Sequence, residues 1–139
     1  MIKINIFAAV MMVIPAVVMG NELQEMFARI QTYNAECGKE INVDSDVLSR
    51  AKKGDIDEKN ENLSAYILCY AKKVGFVNDA VELQDDVIAR KMSLQVTDKA
   101  LVTRVVKLCH EIKNTGDNNL FSSRVLSCYY KNLPGVIIM

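Results

Sequence analysis

The sequence predicts an all-α protein built from six short helices. In six segments, apolar side chains recur every three or four residues, the spacing that places them on one face of a helix. No segment shows a convincing alternation of apolar and polar residues, the pattern typical of a half-buried strand. Five glycines stand where the helical spacing breaks, as is common at helix ends: Gly38, Gly54, Gly75, Gly116 and Gly135.

The first twenty residues predict a secretory signal peptide. Lys3 precedes an apolar run from Ile4 to Val18, and the small residue Gly20 closes the segment. The run is shorter than the about 20 apolar residues that a spanning helix needs, so removal is favoured over a membrane anchor. We therefore expect cleavage after Gly20, a secreted, extracellular protein without stable membrane insertion, and one mature domain, residues 21–139.

Two helices are predicted before the middle of the chain. The first spans Glu22 to about Cys37, with Gly38 as its stop signal. The second continues through Lys53 and can be capped by Asn42 or Asp44. The inward face of the first helix consists of Leu23, Met26, Phe27, Ile30, Asn34 and Cys37.

The third predicted helix, residues 62–74, is the one to which the rest of the chain attaches. Cys69 lies beside its apolar face, about midway between Cys37 and Cys109 in the sequence, so that a bridge from Cys69 can tie this helix to an earlier one. The apolar face consists of Leu63, Tyr66, Ile67, Tyr70 and Val74.

The fourth predicted helix follows a short connector. Asp79, with Glu82 three residues later, has the spacing of a capping box that begins a helix. This helix is expected to continue to about Lys91. Its inward side consists of Val81, Gln84, Val87, Ile88 and Met92.

The fifth and sixth helices each have two candidate caps. Thr97 or Asp98 can begin the fifth helix, and Asn118 or Asn119 can begin the sixth. The expected inward residues are Leu101, Val105, Leu108, Cys109 and Ile112 in the fifth helix and Phe121, Val125, Cys128 and Tyr129 in the sixth. The chain then ends in a wholly apolar segment, Val136–Met139, called the C-terminal tail below. We expect this tail to pack on the body or to cover an opening.

Charge and residue content argue against several function classes. Removing Lys3 with the signal peptide leaves 16 of the 17 basic residues against 17 acidic ones, a formal charge near −1 without a basic block, so nucleic acid is not an expected partner. A hydrolase triad needs a base and an orienting group, but His110 is the only histidine, and its neighbour Cys109 is better explained as half of a disulfide. We predict no enzyme activity, no metal and no cofactor. His110 is expected to be an ordinary, partly exposed residue, with a pH-sensitive contact as the alternative.

The four cysteines all lie in the mature region and are expected to pair in an oxidising compartment. They are Cys37, Cys69, Cys109 and Cys128. Four cysteines allow three connectivities, among which spacing alone does not choose. The apolar helix faces likewise leave two interpretations open, a filled core or a core that encloses a ligand pocket.

The cysteine spacing resembles that of insect odorant-binding proteins of the pheromone-binding and general odorant-binding superfamily. That family has a signal peptide, six helices and six cysteines, with three residues between the second and third cysteines and eight between the fifth and sixth. If Cys69 is the third and Cys128 the sixth, Ala65 and Asn119 stand where the second and fifth would be. In that family the first cysteine pairs with the third, the second with the fifth and the fourth with the sixth. Both partners of the second-to-fifth bridge are then absent, as in the four-cysteine, "minus-C" branch.

The resemblance implies a pairing and a function. The implied disulfides are Cys37–Cys69 and Cys109–Cys128. The implied function is non-covalent transport of a small hydrophobic molecule, an odorant, pheromone or other apolar semiochemical, in an internal apolar cavity, with olfaction as the usual setting. A chemosensory receptor is a candidate partner, and a monomer or weak homodimer is expected. The alternative is a secreted helical module without a ligand cavity that is recognised by a receptor or another protein.

For the carrier we predict fifteen ligand-contacting residues, the last four of them as a lid. They are Met26, Ile30, Tyr66, Tyr70, Phe76, Val87, Met92, Leu101, Val105, Phe121, Val125, Val136, Ile137, Ile138 and Met139.

Overall fold

The computed structural model describes the backbone of residues 2–139 and the side chains from residue 20 onward. Over this range it contains six helices and no strand beyond an isolated bridge between Val77 and Leu83. The helices are α1 (Ile2–Glu40), α2 (Ser45–Lys52), α3 (Glu61–Val74), α4 (Asp85–Ser93), α5 (Lys99–Cys109) and α6 (Asn118–Asn132). The prediction of an all-α fold with six helices is confirmed.

The predicted signal peptide, residues 1–20, lies outside the described side chains except for Gly20, and its removal stays a prediction. A membrane crossing requires a long apolar helix. Within the described part of the chain, no helix has the necessary length and apolar character.

Four of the helices begin with a capping side chain. The carboxylate of Asp98 accepts a hydrogen bond from the Leu101 N–H in α5, and that of Asp44 accepts one from the Asp46 N–H in α2. Both were among the predicted caps. For α6, however, the predicted Asn118 and Asn119 are wrong, because Asp117 accepts the Leu120 N–H at 3.1 Å. The fourth is Asn60, which caps α3.

The end of α1 differs from the prediction. The helix continues past Gly38 to Glu40, and the Ile41 N–H still donates to the Cys37 carbonyl at 2.9 Å. A Cβ atom on Gly38 would meet nothing, so the position faces open space. Because a glycine inside a helix costs only about 1 kcal/mol relative to alanine, this residue alone does not end α1.

The start of α4 also differs, because the segment before it forms a tight turn. The Asn78 side chain accepts the Glu82 N–H at 2.9 Å and donates to the Glu82 carboxylate at 3.0 Å. Val81 has a positive φ of 60° within this turn. The predicted capping box at Asp79 is therefore wrong, and α4 begins only at Asp85. An asparagine that bonds to backbone nearby favours turns over helices.

The core is centred on α3, which packs against α6 on one side and α1 on the other. The five residues of its predicted apolar face are all buried. In α5 the predicted inward position of Leu108 is wrong, since its side chain is 50% exposed. The buried positions there are Val102, Val105, Val106 and Cys109, whose helical spacing leaves Leu108 outside the buried face.

Two disulfides join the helices. Cys37 in α1 is bonded to Cys69 in α3, with Cα atoms 6.0 Å apart. Cys109, the last residue of α5, is bonded to Cys128 in α6, with Cα atoms 5.7 Å apart. Both predicted pairings are confirmed.

Candidate functional site

A pocket of about 310 Å³ lies between α1, the end of α3, α4 and the C-terminal tail. This volume is at the lower end of the range of small-molecule sites. The pocket borders the core, whose buried residues contribute to its lining. Its lining consists of Glu22, Glu25, Met26, Arg29, Ile30, Tyr33, Tyr70, Val74, Phe76, Arg90, Lys91, Met92, Leu94, Gln95, Ile137 and Ile138.

Seven of the fifteen predicted ligand contacts line this pocket. They are Met26, Ile30, Tyr70, Phe76, Met92, Ile137 and Ile138. All except Ile137 are buried, and together they form an apolar wall. Their contact with a ligand stays a prediction.

The other eight predicted residues do not line the pocket. They are Tyr66, Val87, Leu101, Val105, Phe121, Val125, Val136 and Met139. Tyr66 instead links α3 to α1, because its hydroxyl donates a hydrogen bond of 2.5 Å to the side-chain oxygen of Asn34. Val125 borders a small void of only about 20 Å³ between α3 and α6. Helical spacing identifies an inward side chain, but it does not say which part of the interior is empty.

Sequence reasoning missed nine of the lining residues, seven of them polar or charged. The missed residues are Glu22, Glu25, Arg29, Tyr33, Val74, Arg90, Lys91, Leu94 and Gln95. A signal was present in α1, because Glu22, Arg29 and Tyr33 lie four residues before, three after and seven after Met26, on the same side of the helix. Charged residues flanking an apolar stripe normally indicate its solvent edge, and here that edge is the opening of the pocket.

The C-terminal tail forms one wall of the pocket. The Gln95 side chain donates to the Ile137 carbonyl at 2.7 Å and accepts the Ile137 N–H at 2.9 Å. The Tyr70 hydroxyl donates to the Ile138 carbonyl at 2.5 Å. Val136 and Met139 are also buried, but they do not line the pocket. The tail thus packs on the body, which is one of the two outcomes expected from the sequence.

Tyr70 connects the tail to the centre of the fold. Burial, and then the neighbouring Tyr130, Tyr66 and Tyr33, raise the pKa of Tyr70 far above its ordinary value. The hydroxyl therefore stays a neutral donor at physiological pH. The Tyr33 ring packs edge-on against the Tyr70 ring, with centroids 6.5 Å apart.

His110 lies away from the pocket and joins three helices. Its Nδ1 is 2.6 Å from the Asp85 carboxylate at the start of α4. Its Nε2 is 2.6 Å from the hydroxyl of Tyr129 in α6. Burial and then the nearby Asp85 charge raise the pKa of Tyr129. The residue is partly exposed, as expected, but it is also a structural contact between α4, α5 and α6.

No group of three or more His, Cys, Asp or Glu side chains suited to a metal ion occurs in the described residues.

Comparisons with known proteins identify relatives and a family for this sequence. The B1 protein of Tenebrio molitor is 27% identical over 111 residues, which cover 80% of this chain and 83% of that protein. The B2 protein of Tenebrio molitor is 24% identical over 111 residues, which cover 80% of this chain and 84% of that protein. The model of the PBP/GOBP family matches residues 20–132, a range that includes all four cysteines. The resemblance found in the sequence is confirmed, and the chain belongs to the PBP/GOBP family.

Proposed function

We propose that this protein is a secreted carrier that binds a small hydrophobic molecule non-covalently in the pocket between α1, α4 and the C-terminal tail. An odorant, a pheromone or another apolar semiochemical would be its cargo. The PBP/GOBP family is a family of secreted odorant and pheromone carriers, which supports the general class. The single observation that carries the proposal is the pocket of about 310 Å³ with its buried apolar wall.

The pocket volume gives a scale for the part of a ligand that it can hold. At the packing density of protein interiors, about 0.74, a 310 Å³ space accommodates about 230 Å³ of ligand atoms, or about ten to twelve carbons. Eight buried methylenes at about 0.8 kcal/mol each contribute about 6 kcal/mol. This corresponds to a dissociation constant of tens of micromolar before ordering costs are included. Ordering costs weaken binding, so for the alkyl chain alone we expect a dissociation constant of tens of micromolar or higher.

The pocket also favours the carrier over the alternative of an interaction module without a cavity. A module of that kind needs an apolar surface on the outside, and only Leu108 and Ile137 are large apolar side chains with substantial exposure among the described residues. Delivery to a chemosensory receptor and a monomeric or weakly dimeric state belong to the proposal as well. The oligomeric state is measurable by sedimentation of the mature chain.

Titration with a neutral fluorescent apolar probe tests the proposal, using a matched pair of leucine variants. Leu94 is half-buried and lines the pocket, whereas Leu108 is half-exposed and lies outside it. Leu94→Trp should fill part of the pocket and weaken probe binding at least about 10-fold, the effect of about 1.4 kcal/mol. Leu108→Trp should bind the probe like the wild type. Circular dichroism verifies that both variants fold.

Two results would contradict the proposal. The first is an absence of saturable probe binding to the wild type, with no competition by a panel of volatiles and fatty acids. The second is equal affinity of the Leu94→Trp and Leu108→Trp variants, which would place the probe elsewhere.

A further inference from the structure

The opening of the pocket is charged although its wall is apolar. Arg29 of α1 and Arg90 and Lys91 of α4 contribute three positive charges to the lining. Glu22 and Glu25 of α1 contribute two negative charges. The opening therefore has a formal charge of +1.

These three cations make no ion pair within 4 Å in the part of the chain that the structure describes. The ion pairs found there belong to Lys73, His110 and Arg124. Arg29 and Arg90 are exposed, so water can solvate them. Their positive charge is thus available to a group that enters the pocket.

Lys91 is the least solvated of the three cations. Its Nζ donates to the Val74 carbonyl at 2.7 Å, and no second hydrogen bond of this Nζ occurs among the residues that the structure describes. Burial, and then the charges of Arg29 and Arg90, lower the pKa of Lys91. An anion at the opening would offset both effects, since a nearby opposite charge favours the charged form of an amine.

We propose that the ligand of this pocket is a medium-chain carboxylate, a fatty acid of about ten to twelve carbons by the packing estimate above. Its alkyl chain would lie against Met26, Ile30 and Met92. Its carboxylate would contact Arg29, Arg90 and Lys91. The inference rests on the proposed carrier function and specifies the ligand class of the same site.

The chemistry of the opening favours a single negative charge. A carboxylate neutralises the formal charge of +1, and guanidinium groups bind carboxylates through short, charge-assisted hydrogen bonds. A neutral alcohol of equal length fills the same apolar wall without these bonds. An alkylammonium ion would meet the same cations with like charge.

Three ligands with one ten-carbon chain test the proposal: decanoate, decanol and decylammonium. Each is measured by displacement of the neutral probe at pH 8, where decanoate is fully ionised. We expect decanoate to bind about 10-fold more tightly than decanol, because charge-assisted hydrogen bonds are about twice as strong as neutral ones. Decylammonium should bind more weakly than decanol. Added salt should reduce both the advantage of decanoate and the disadvantage of decylammonium relative to decanol.

Two double variants, each of which removes two positive charges, distinguish an effect of the pocket opening from an effect of the protein's net charge. Arg29→Gln with Arg90→Gln should lower the decanoate affinity about 10-fold, to that of decanol, while leaving the decanol affinity unchanged. Arg104→Gln with Lys107→Gln removes the same charge from an exposed part of α5 outside the pocket and should change neither affinity.

The outcomes distinguish this inference from the carrier function. If the probe binds but decanoate and decanol compete equally, or if both double variants act alike, the carboxylate inference is overturned and the carrier function stands. If the wild type binds no probe, the carrier function fails and the inference fails with it.

Discussion

Two regions of this small domain differ in how completely they are packed. The core half consists of α3, α5 and α6, and the void between α3 and α6 measures only about 20 Å³. The pocket half consists of residues 22–33 of α1, α4 and the C-terminal tail, and it encloses about 310 Å³. The same apolar composition therefore serves as filling in one region and as the wall of a space in the other.

The two regions are also held together by different kinds of contact. The core half contains the Cys109–Cys128 disulfide and a buried hydrogen bond of 2.8 Å between Ser64 and Ser123. The tail of the pocket half is held by Gln95 and Tyr70 through hydrogen bonds to its backbone. A region held in this way can open locally without global unfolding. Stability should thus depend on the core half and ligand exchange on the pocket half.

The largest expected effect is alkaline destabilisation of the tyrosine-rich interior. Burial raises the pKa of Tyr130 to about 12 and raises the pKa values of Tyr70 and Tyr129 as well. Raised folded-state pKa values mean that the stabilisation is complete below the unfolded pKa of about 10 and is lost as pH rises above it. Each tyrosine that stays neutral in the folded protein lowers the free energy of unfolding by about 1.3 kcal/mol at pH 11, and three of them lower it by about 4 kcal/mol.

Urea denaturation between pH 8 and pH 11.5 measures this effect, and tyrosinate absorbance records the ionisation. A free energy of unfolding that stays flat over this range would mean that the three hydroxyls are not held neutral in the folded protein.

The next effect in size separates stability from binding in the core half. Replacing Cys109 and Cys128 together by serine opens a loop of 19 residues, and by loop-closure entropy this should lower the free energy of unfolding by about 3 kcal/mol. The probe affinity should change less than about twofold, because neither residue lines the pocket.

Urea denaturation without reductant and probe titration of the same double variant measure the two quantities. A large loss of affinity in a variant that remains folded would show that the pocket half depends on this disulfide, and the division between the two regions would be wrong.

The core half was more predictable from the sequence than the pocket half. The inward face of α3 was predictable because apolar residues occupy it along the whole helix, from Leu63 to Val74. The end of the helix was predictable because Gly75 adopts the left-handed conformation that suits glycine. The disulfides followed from the family resemblance. The start of α4 was missed because the Asn78 side chain bonds to Glu82 and forms a turn that competes with the helix.

The position of the pocket was much less predictable. Phe121 and Met26 both occupy apolar faces, yet only Met26 borders the space, because the gap depends on how helices far apart in sequence diverge. Gln95 holds Ile137 across 42 positions, and neither residue shows this in its local pattern. The cations at the opening were overlooked because charged residues beside an apolar stripe ordinarily face solvent.

The smallest expected effect concerns the tail. Gln95→Leu removes both hydrogen bonds to Ile137 but keeps the buried Ile138 and Met139 in place, unlike a deletion of the tail. The free energy of unfolding should fall by no more than about 1 kcal/mol, because these hydrogen bonds are exposed to water. Probe release should accelerate about 3- to 10-fold if the tail must move for a ligand to leave.

Stopped-flow displacement of the probe measures the release rate, and thermal unfolding measures the stability. Gln31→Leu is the matched control, since Gln31 is exposed on α1 and does not line the pocket. Equal release rates for the Gln95 variant, the Gln31 variant and the wild type would mean that ligand leaves by a route that the tail does not cover. Faster release with unchanged stability would instead identify Gln95 as the contact that sets residence time, and it would complete the separation between a packed core half and a pocket half that opens.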